Sequence, residues 1–351
     1  MKTGIVIPGT LTGRVQPFEE VADFMVEAER LGIDSIWSAE AWGEDAVTPL
    51  AYLAARTKRV LLGSGIMQIS ARSPVMTAMT AMSLARLSND RFILGLGVSG
   101  PQVVEGLHGQ PFARPLRRLR ETIEIIRMAC SGEKIRYRGE VFELPRPGGE
   151  GKALKLTASH PHIPIYVAAL GEKSLELTGE LADGWVGTSF TPEGADFYTS
   201  AMRRGAGRAG RSLADITLCV GGAVQFTDDV EQAIAAKKGA IAFQVSAMGT
   251  PTKNFYHNAY RHIGYADAVQ EIRDLWLAGK REEATRRVPD EMVTRTALIG
   301  TDDMVRARIR AYRDAGVGIL MLLPDGRTDR DRLDTLGRAL DLVRQVNAEG
   351  R

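Results

Sequence analysis

Short apolar runs alternate with helix-length amphipathic segments from one end of this chain to the other. The runs lie at residues 4–7, 34–38, 60–68, 91–97, 163–168, 184–187, 216–225 and 318–323. Between and after them come segments whose apolar residues recur with the 3.6-residue period of a helix, at 18–31, 48–56, 74–87, 115–130, 172–182, 191–208, 302–315 and 329–346. The first shows the pattern: Val21, Phe24, Met25, Ala28 and Leu31 share a face, and Gly32 ends it. The strand candidates are nearly continuous in apolar residues, which implies a parallel sheet buried on both faces. Eight such units predict an α/β chain folded as a (β/α)8 barrel. That fold typically takes about 250 residues and leaves roughly a hundred here for insertions. The rhythm breaks twice, and the expected insertions are 131–162, a hairpin-like alternation followed by a Gly/Pro-rich stretch, and 250–292, inside a long helical section. One domain over 1–351 is expected. A doubly wound sheet would carry a glycine fingerprint after its first strand, and IPGTLTG lacks one.

Composition narrows the function classes. Hydrophobic residues make up 44% and charged residues 25%, with a formal net charge of +2, so neither nucleic acid nor a membrane surface is an expected partner. Two cysteines, Cys130 and Cys219, fall in an expected helix and strand and read as buried thiols. No CxxC and no His pair at ligand spacing argues for a metal. MKTGIVIPGTL is interrupted too early for a signal peptide, and a reducing cytoplasm is the default compartment.

In such a barrel the active site lies at the C-terminal ends of the strands. Those ends are rich in glycine and poor in titratable groups: Glu40, Glu44, Asp45 and Lys173, with His108 beyond. Without Ser-His or Cys-His groupings, such a site is badly equipped for unaided hydrolysis and better suited to a flat cofactor that brings its own reactivity. The third strand poses the sharpest question, because RVLLGSGIMQ places Gly63, Ser64 and Gly65 before Ile66, where a strand gains nothing from glycine. Either an ordinary bulge bends the rim there or a ligand approaches the main chain. After the fourth strand, Gly97, Ser99 and Gly100 offer amides and a hydroxyl to ligand oxygens, or form a plain tight turn. Ala169, Leu170 and Gly171 lead into a helix whose first amides suit a phosphate, with Lys173 or Ser174 assisting. Ser38 and Trp42 flank Glu40 after the second strand, and Trp42 would make an aromatic wall. A carboxyl at Glu40 beside an apolar ring would handle a proton, or would accept hydrogen bonds from backbone or an arginine.

Four stretches, SIWSAEAWGEDAVTPLAYLAARTKRVLLGSGI, RFILGLGVSGPQVVEGLHG, IPIYVAALGEKSLELTGELADGW and IGTDDMVRARIRAYRDAGV, occur in an order that resembles the luciferase-like monooxygenase superfamily. Within it the chain is similar to the branch that uses the deazaflavin coenzyme F420, and more to methylenetetrahydromethanopterin reductase than to the sugar and alcohol dehydrogenases. Those dehydrogenases carry a catalytic glutamate just after the fourth strand's glycines, where this chain has Pro101 and Gln102. The resemblance implies an F420-dependent oxidoreductase acting on a small organic substrate, with an FMN-dependent monooxygenase on the same barrel as the alternative. It also implies a non-proline cis peptide at Gly65–Ile66 supporting the coenzyme ring, Glu40 as the proton partner, and a homodimer, for which the apolar stretch 75–87 of an exterior helix is the expected face.

Overall fold

The computed structural model describes residues 1–8, 16–40, 43–250 and 254–350. Eight parallel strands close on themselves: β1 (Lys2–Val6), β2 (Ser35–Ser38), β3 (Leu61–Ser64), β4 (Phe92–Gly97), β5 (Ile165–Ala168), β6 (Gly184–Val186), β7 (Thr217–Phe226) and β8 (Val317–Pro324). Each pairs with the next, and β8 returns to β1 through Lys2↔Ile319, so the sheet has no free edge in the ring. This is the (β/α)8 barrel expected from the alternation, with helices outside it. Helix Phe18–Leu31 buries Val21, Ala22, Phe24, Met25 and Ala28 against the ring and ends at Gly32, whose φ of 109° only glycine adopts freely. Helix Pro74–Leu87 starts on a cap in which the Ser73 hydroxyl accepts the Met76 amide at 3.3 Å, with Pro74 at its first position.

The barrel interior is filled from within. Trp37, Ile93, Tyr166, Cys219 and Ile319 form a buried cluster, and the Trp37 and Tyr166 rings lie 5.8 Å apart. Two large rings need room from neighbouring strands, and glycines supply it. A Cβ on Gly63 would come within 2.4 Å of the Trp37 ring, and one on Gly184 within 2.6 Å of the Tyr166 ring. Gly63 is therefore explained by packing, which leaves Gly65 as the residue still to be explained. Cys130 and Cys219 are buried free thiols, and burial raises the pKa of both.

Differences from the sequence reading are local. The expected hairpin shrinks to Tyr137–Arg138 against Glu143–Leu144. Its turn is held by Glu121, a fully buried carboxylate that accepts the amides of Glu140, Val141 and Phe142 at 2.7–3.0 Å. The long helical section resolves into helices Val230–Ala247, Phe255–Tyr260, Ala266–Leu277, Arg281–Arg286 and Asp290–Thr294, with a π-helical turn Arg261–Tyr265. An unanticipated strand, Leu298–Gly300, lies beside the end of β7 at Val224–Phe226, outside the ring. Three residues give too little sequence for a period to register. Among the described residues, no helix is long and apolar enough to cross a membrane and no cluster of metal-ligating side chains occurs.

Candidate active site

The end of β3 is built by one extra residue. Pairing with β4 runs Leu62↔Phe92 and Gly63↔Ile93, then resumes as Met67↔Leu96 and Gln68↔Gly97, a slip of one position. Within the slip the Gly65–Ile66 peptide is cis, as the resemblance implied. The ladder bonds lost there are replaced by a side chain. The Ser64 hydroxyl donates to the Gly95 carbonyl at 2.9 Å and accepts the Gly95 amide at 2.8 Å. Gly95 permits this approach, because a Cβ there would lie 1.7 Å from the Ser64 carbonyl oxygen. On the other side, the Gly65 amide donates to the Ser38 carbonyl at 2.6 Å and the Glu40 amide to the Ile66 carbonyl at 3.2 Å. Gly65 and Ile66 are partly exposed, whereas Gly63, Ser64, Met67 and Gln68 are buried. The bulge thus presents main chain at the mouth.

Its neighbours follow in register. Ser38 pairs with Ser64, Gln68 with Gly97, and Gly97 with Ala168, so β2 to β5 bring these sequence candidates onto one arc of the rim. Gly97 is required by packing, since a Cβ there would meet the Ile66 side chain at 2.8 Å. Gly100 is not: no heavy atom lies within 4 Å of a Cβ built on it. Between them Ser99 takes φ 58°, a left-handed conformation uncommon outside glycine. The Ser38 hydroxyl is fully buried and has no hydrogen-bond partner among the described residues. A cofactor approaching main chain over this arc would find open space at Gly100 and an unsatisfied hydroxyl at Ser38, so these residues fit such a ligand.

The third arc is partly committed to the fold. Ala169 spends its carbonyl on the Trp185 indole at 2.8 Å, and the Ser174 hydroxyl bridges the Gly171 amide and carbonyl at 3.2 and 2.7 Å. Ser174 is therefore taken, while Gly171 and Lys173 are exposed at the start of helix Glu172–Leu181 beside partly exposed Leu170. Trp42 lies outside the described residues.

Glu40 is the most constrained side chain at the mouth. One oxygen accepts the Gln68 amide at 3.0 Å and Arg72 Nη1 at 2.9 Å; the other accepts the Ala46 amide at 3.3 Å and Arg72 Nη2 at 2.7 Å. Gln68 Nε2 also donates to the Glu40 carbonyl at 3.1 Å. Both carboxylate oxygens of Glu40 are thus occupied by donors among the described residues. Nearby, Asp45 loses charge stability to burial, but the Thr48 and Val47 amides and Arg72 more than compensate and lower its pKa. Sequence reasoning missed Gln68 and Arg72. A two-residue strand and a loop arginine carry no period, although ARSP marks the following helix start. It also missed two ties from helix Val230–Ala247 and the turn after it to the mouth. Gln102 Nε2 donates to the Gly249 carbonyl at 2.7 Å, and Lys237 pairs with Asp325 at 3.2 Å.

Comparison with known proteins agrees with this fold. Residues 1–318 match the family model described as luciferase-like monooxygenase. The chain is 40% identical over 317 residues to "Putative coenzyme F420-dependent oxidoreductase Rv3520c" of Mycobacterium tuberculosis, covering 88% of this chain and 91% of that protein. It is 28% identical to 5,10-methylenetetrahydromethanopterin reductase of Archaeoglobus fulgidus, over 92% of this chain and 95% of that one. Among solved structures, the coenzyme F420 dependent tetrahydromethanopterin reductase from Methanopyrus kandleri superposes with a TM-score of 0.78 at 24% identity, covering 96% of this chain and 97% of its own, a likeness of fold. With its barrel, its bulged third strand and a match across most of its length, the chain belongs to the luciferase-like monooxygenase family, and so to the oxidoreductases.

Proposed function

We propose that the protein is an F420-dependent oxidoreductase that moves a hydride to or from a small organic substrate at the barrel mouth. The observation that carries this reading is the partly exposed Gly65–Ile66 bulge, set beside the open approach at Gly100. The names of the Mycobacterium tuberculosis and Archaeoglobus fulgidus relatives support the same coenzyme class. Bound there, the deazaflavin would supply hydride chemistry at its C5. The chain would supply the rest: Gly65 and Ile66 form the bed with Gly63 and Ser64 buried beneath as its support, Ser38 offers its free hydroxyl, and Gly97, Ser99 and Gly100 receive the polar chain. Ala169, Leu170, Gly171 and Lys173 take the phosphate. The protein's share is orientation and exclusion of water.

Within that proposal Glu40 acts as a positioning residue. Donors on both of its oxygens support the hydrogen-bond-accepting role over the proton-transfer role. It fixes the loop after β2 to Gln68, two positions past Ile66. We further propose a single barrel domain with insertions at 131–162 and 250–292, acting as a homodimer. Helix Pro74–Leu87 leaves Met76 at 50%, Met79 at 45% and Leu87 at 59% exposure while burying seven residues of its inner side, the pattern of a helix with a second apolar neighbour.

The test is direct. Purified protein is titrated with F420 and with FMN, and oxygen uptake is followed with each reduced form. Tight F420 binding without oxygen consumption is expected. Rapid oxygen uptake with FMNH2 and no affinity for the deazaflavin would replace this reading with an FMN-dependent monooxygenase.

A further inference from the structure

The loops after β3 and β4 enclose a small hollow at the rim of the mouth. Ile69, Val98 and Phe112 form its apolar wall, and Ser70, Gln110 and Arg118 bring polar groups to it. Its enclosed part is only about 10 Å3, room for one oxygen-sized group and too small for a ring.

The charge balance around it is uneven. Helix Pro115–Ser131 and the residue before it carry several arginines, most of which are matched. Arg114 pairs with Glu140 at 3.2 Å, Arg117 with Glu121 at 3.0 Å, Arg120 with Glu180 at 2.6 Å and Arg127 with Asp183 at 3.2 Å. Arg118 has no carboxylate within ion-pair distance among the described residues. The undescribed stretches, residues 9–15, 41–42, 251–253 and 351, contain no Asp or Glu side chain to supply one. Its guanidinium carbon lies 5.3 Å from the centre of the Phe142 ring, a contact that does not use its N–H groups. The Ser70 hydroxyl is buried without a hydrogen-bond partner among the described residues. An unpaired guanidinium lining the same small hollow as an unsatisfied hydroxyl and an amide suits an oxygen of a carboxylate or phosphate group.

We infer that the Ser70–Gln110–Arg118 hollow is an anion subsite that binds a carboxylate or phosphate carried by a ligand lying in the mouth. The site stands on this geometry. Only the question of which ligand carries the anion rests on the deazaflavin reading, since both the coenzyme and an acidic substrate have such groups.

Two experiments test it. Crystals of the full chain are soaked with tungstate, a phosphate mimic, and the anomalous signal is located. F420 is then titrated against the wild type, Arg118→Gln, Arg118→Lys and Ser70→Ala by fluorescence. A tungstate peak in the hollow, absent from Arg118→Gln, is the expected result. Ser70→Ala leaves the Phe142 stack intact and is expected to weaken the peak, which separates anion loss from any loosening of the hairpin. If Arg118→Gln also weakens F420 binding about tenfold, the anion is the coenzyme's own; with unchanged F420 affinity and a lost peak, it belongs to the substrate. No wild-type F420 binding together with an Arg118-dependent peak keeps the subsite and removes only the cofactor reading. A hollow empty of tungstate in the wild type, or a peak that survives Arg118→Gln and Ser70→Ala, overturns the inference.

Discussion

Arg72 grips Glu40 with both terminal nitrogens of its guanidinium, at 2.9 and 2.7 Å, one to each carboxylate oxygen. The pair is largely shielded, with side-chain exposures of 21% and 9%, and it joins the loop after β2 to the segment that leads into helix Pro74–Leu87. Removing either partner strands the other. Glu40→Gln and Arg72→Gln should each cost about 1–3 kcal/mol of stability in urea titrations, and the double variant should cost clearly less than their sum. As a positioning pair, both single variants should weaken F420 binding while leaving the shape of the pH–rate profile unchanged. A stable Glu40→Gln protein that binds F420 normally but loses turnover a hundredfold, beside an active Arg72→Gln, would restore the proton-transfer role.

Two glycines only five positions apart should respond in opposite ways. Gly95→Ala drives a methyl into the Ser64 carbonyl, and backbone has little freedom to yield, so a loss of at least roughly 1–3 kcal/mol is expected by thermal or urea unfolding. Gly100→Ala meets nothing and keeps a φ of −128°, so its stability should stay within about 0.5 kcal/mol of wild type. Its F420 affinity should nonetheless fall, about tenfold, because the methyl would occupy the approach left open to the ligand. Equal affinity in Gly100→Ala and wild type would remove that loop from the coenzyme site.

Glu121 links pH to the hairpin. Burial alone would raise its pKa, but the amides of Phe142, Glu140 and Val141 and the charge of Arg117 prevail and lower it. A carboxylate with a depressed folded value contributes stability that is fully present above its unfolded pKa, about 4.3, and is lost as pH falls through the folded value. Glu121→Gln should therefore cost about 1–3 kcal/mol at pH 7, and the gap to wild type should narrow below roughly pH 4. Urea midpoints at pH 7, 5 and 3.5 measure this; a gap constant across that range would mean the charge is immaterial.

Met76→Glu combined with Met79→Glu should convert a dimer to a monomer in light scattering after gel filtration, with the far-UV spectrum unchanged. A wild type that already elutes as a single chain would end the dimer proposal.

How much of this was legible beforehand depends on the kind of signal. Helices such as Phe18–Leu31 and Pro74–Leu87 were readable to the residue, because periodicity and caps are local. The ring of eight strands was readable because strands covered on both faces are apolar throughout. Gly63 and Gly65 looked alike in sequence, yet one makes room for Trp37 and the other lies in the bulge, a distinction that needs the neighbouring strand. The donors around Glu40 come from Ala46, Gln68 and Arg72, residues whose sequence carries no mark of convergence. The same holds for Arg118, which becomes unusual only once its neighbours' partners are known.

Trp37 and Tyr166 make the centre of the barrel solid, each accommodated by a glycine on a neighbouring strand. A stoppered tube has a single doorway. A ligand of the bulge would therefore come and go on the loop side of the barrel, and none would thread the ring from below.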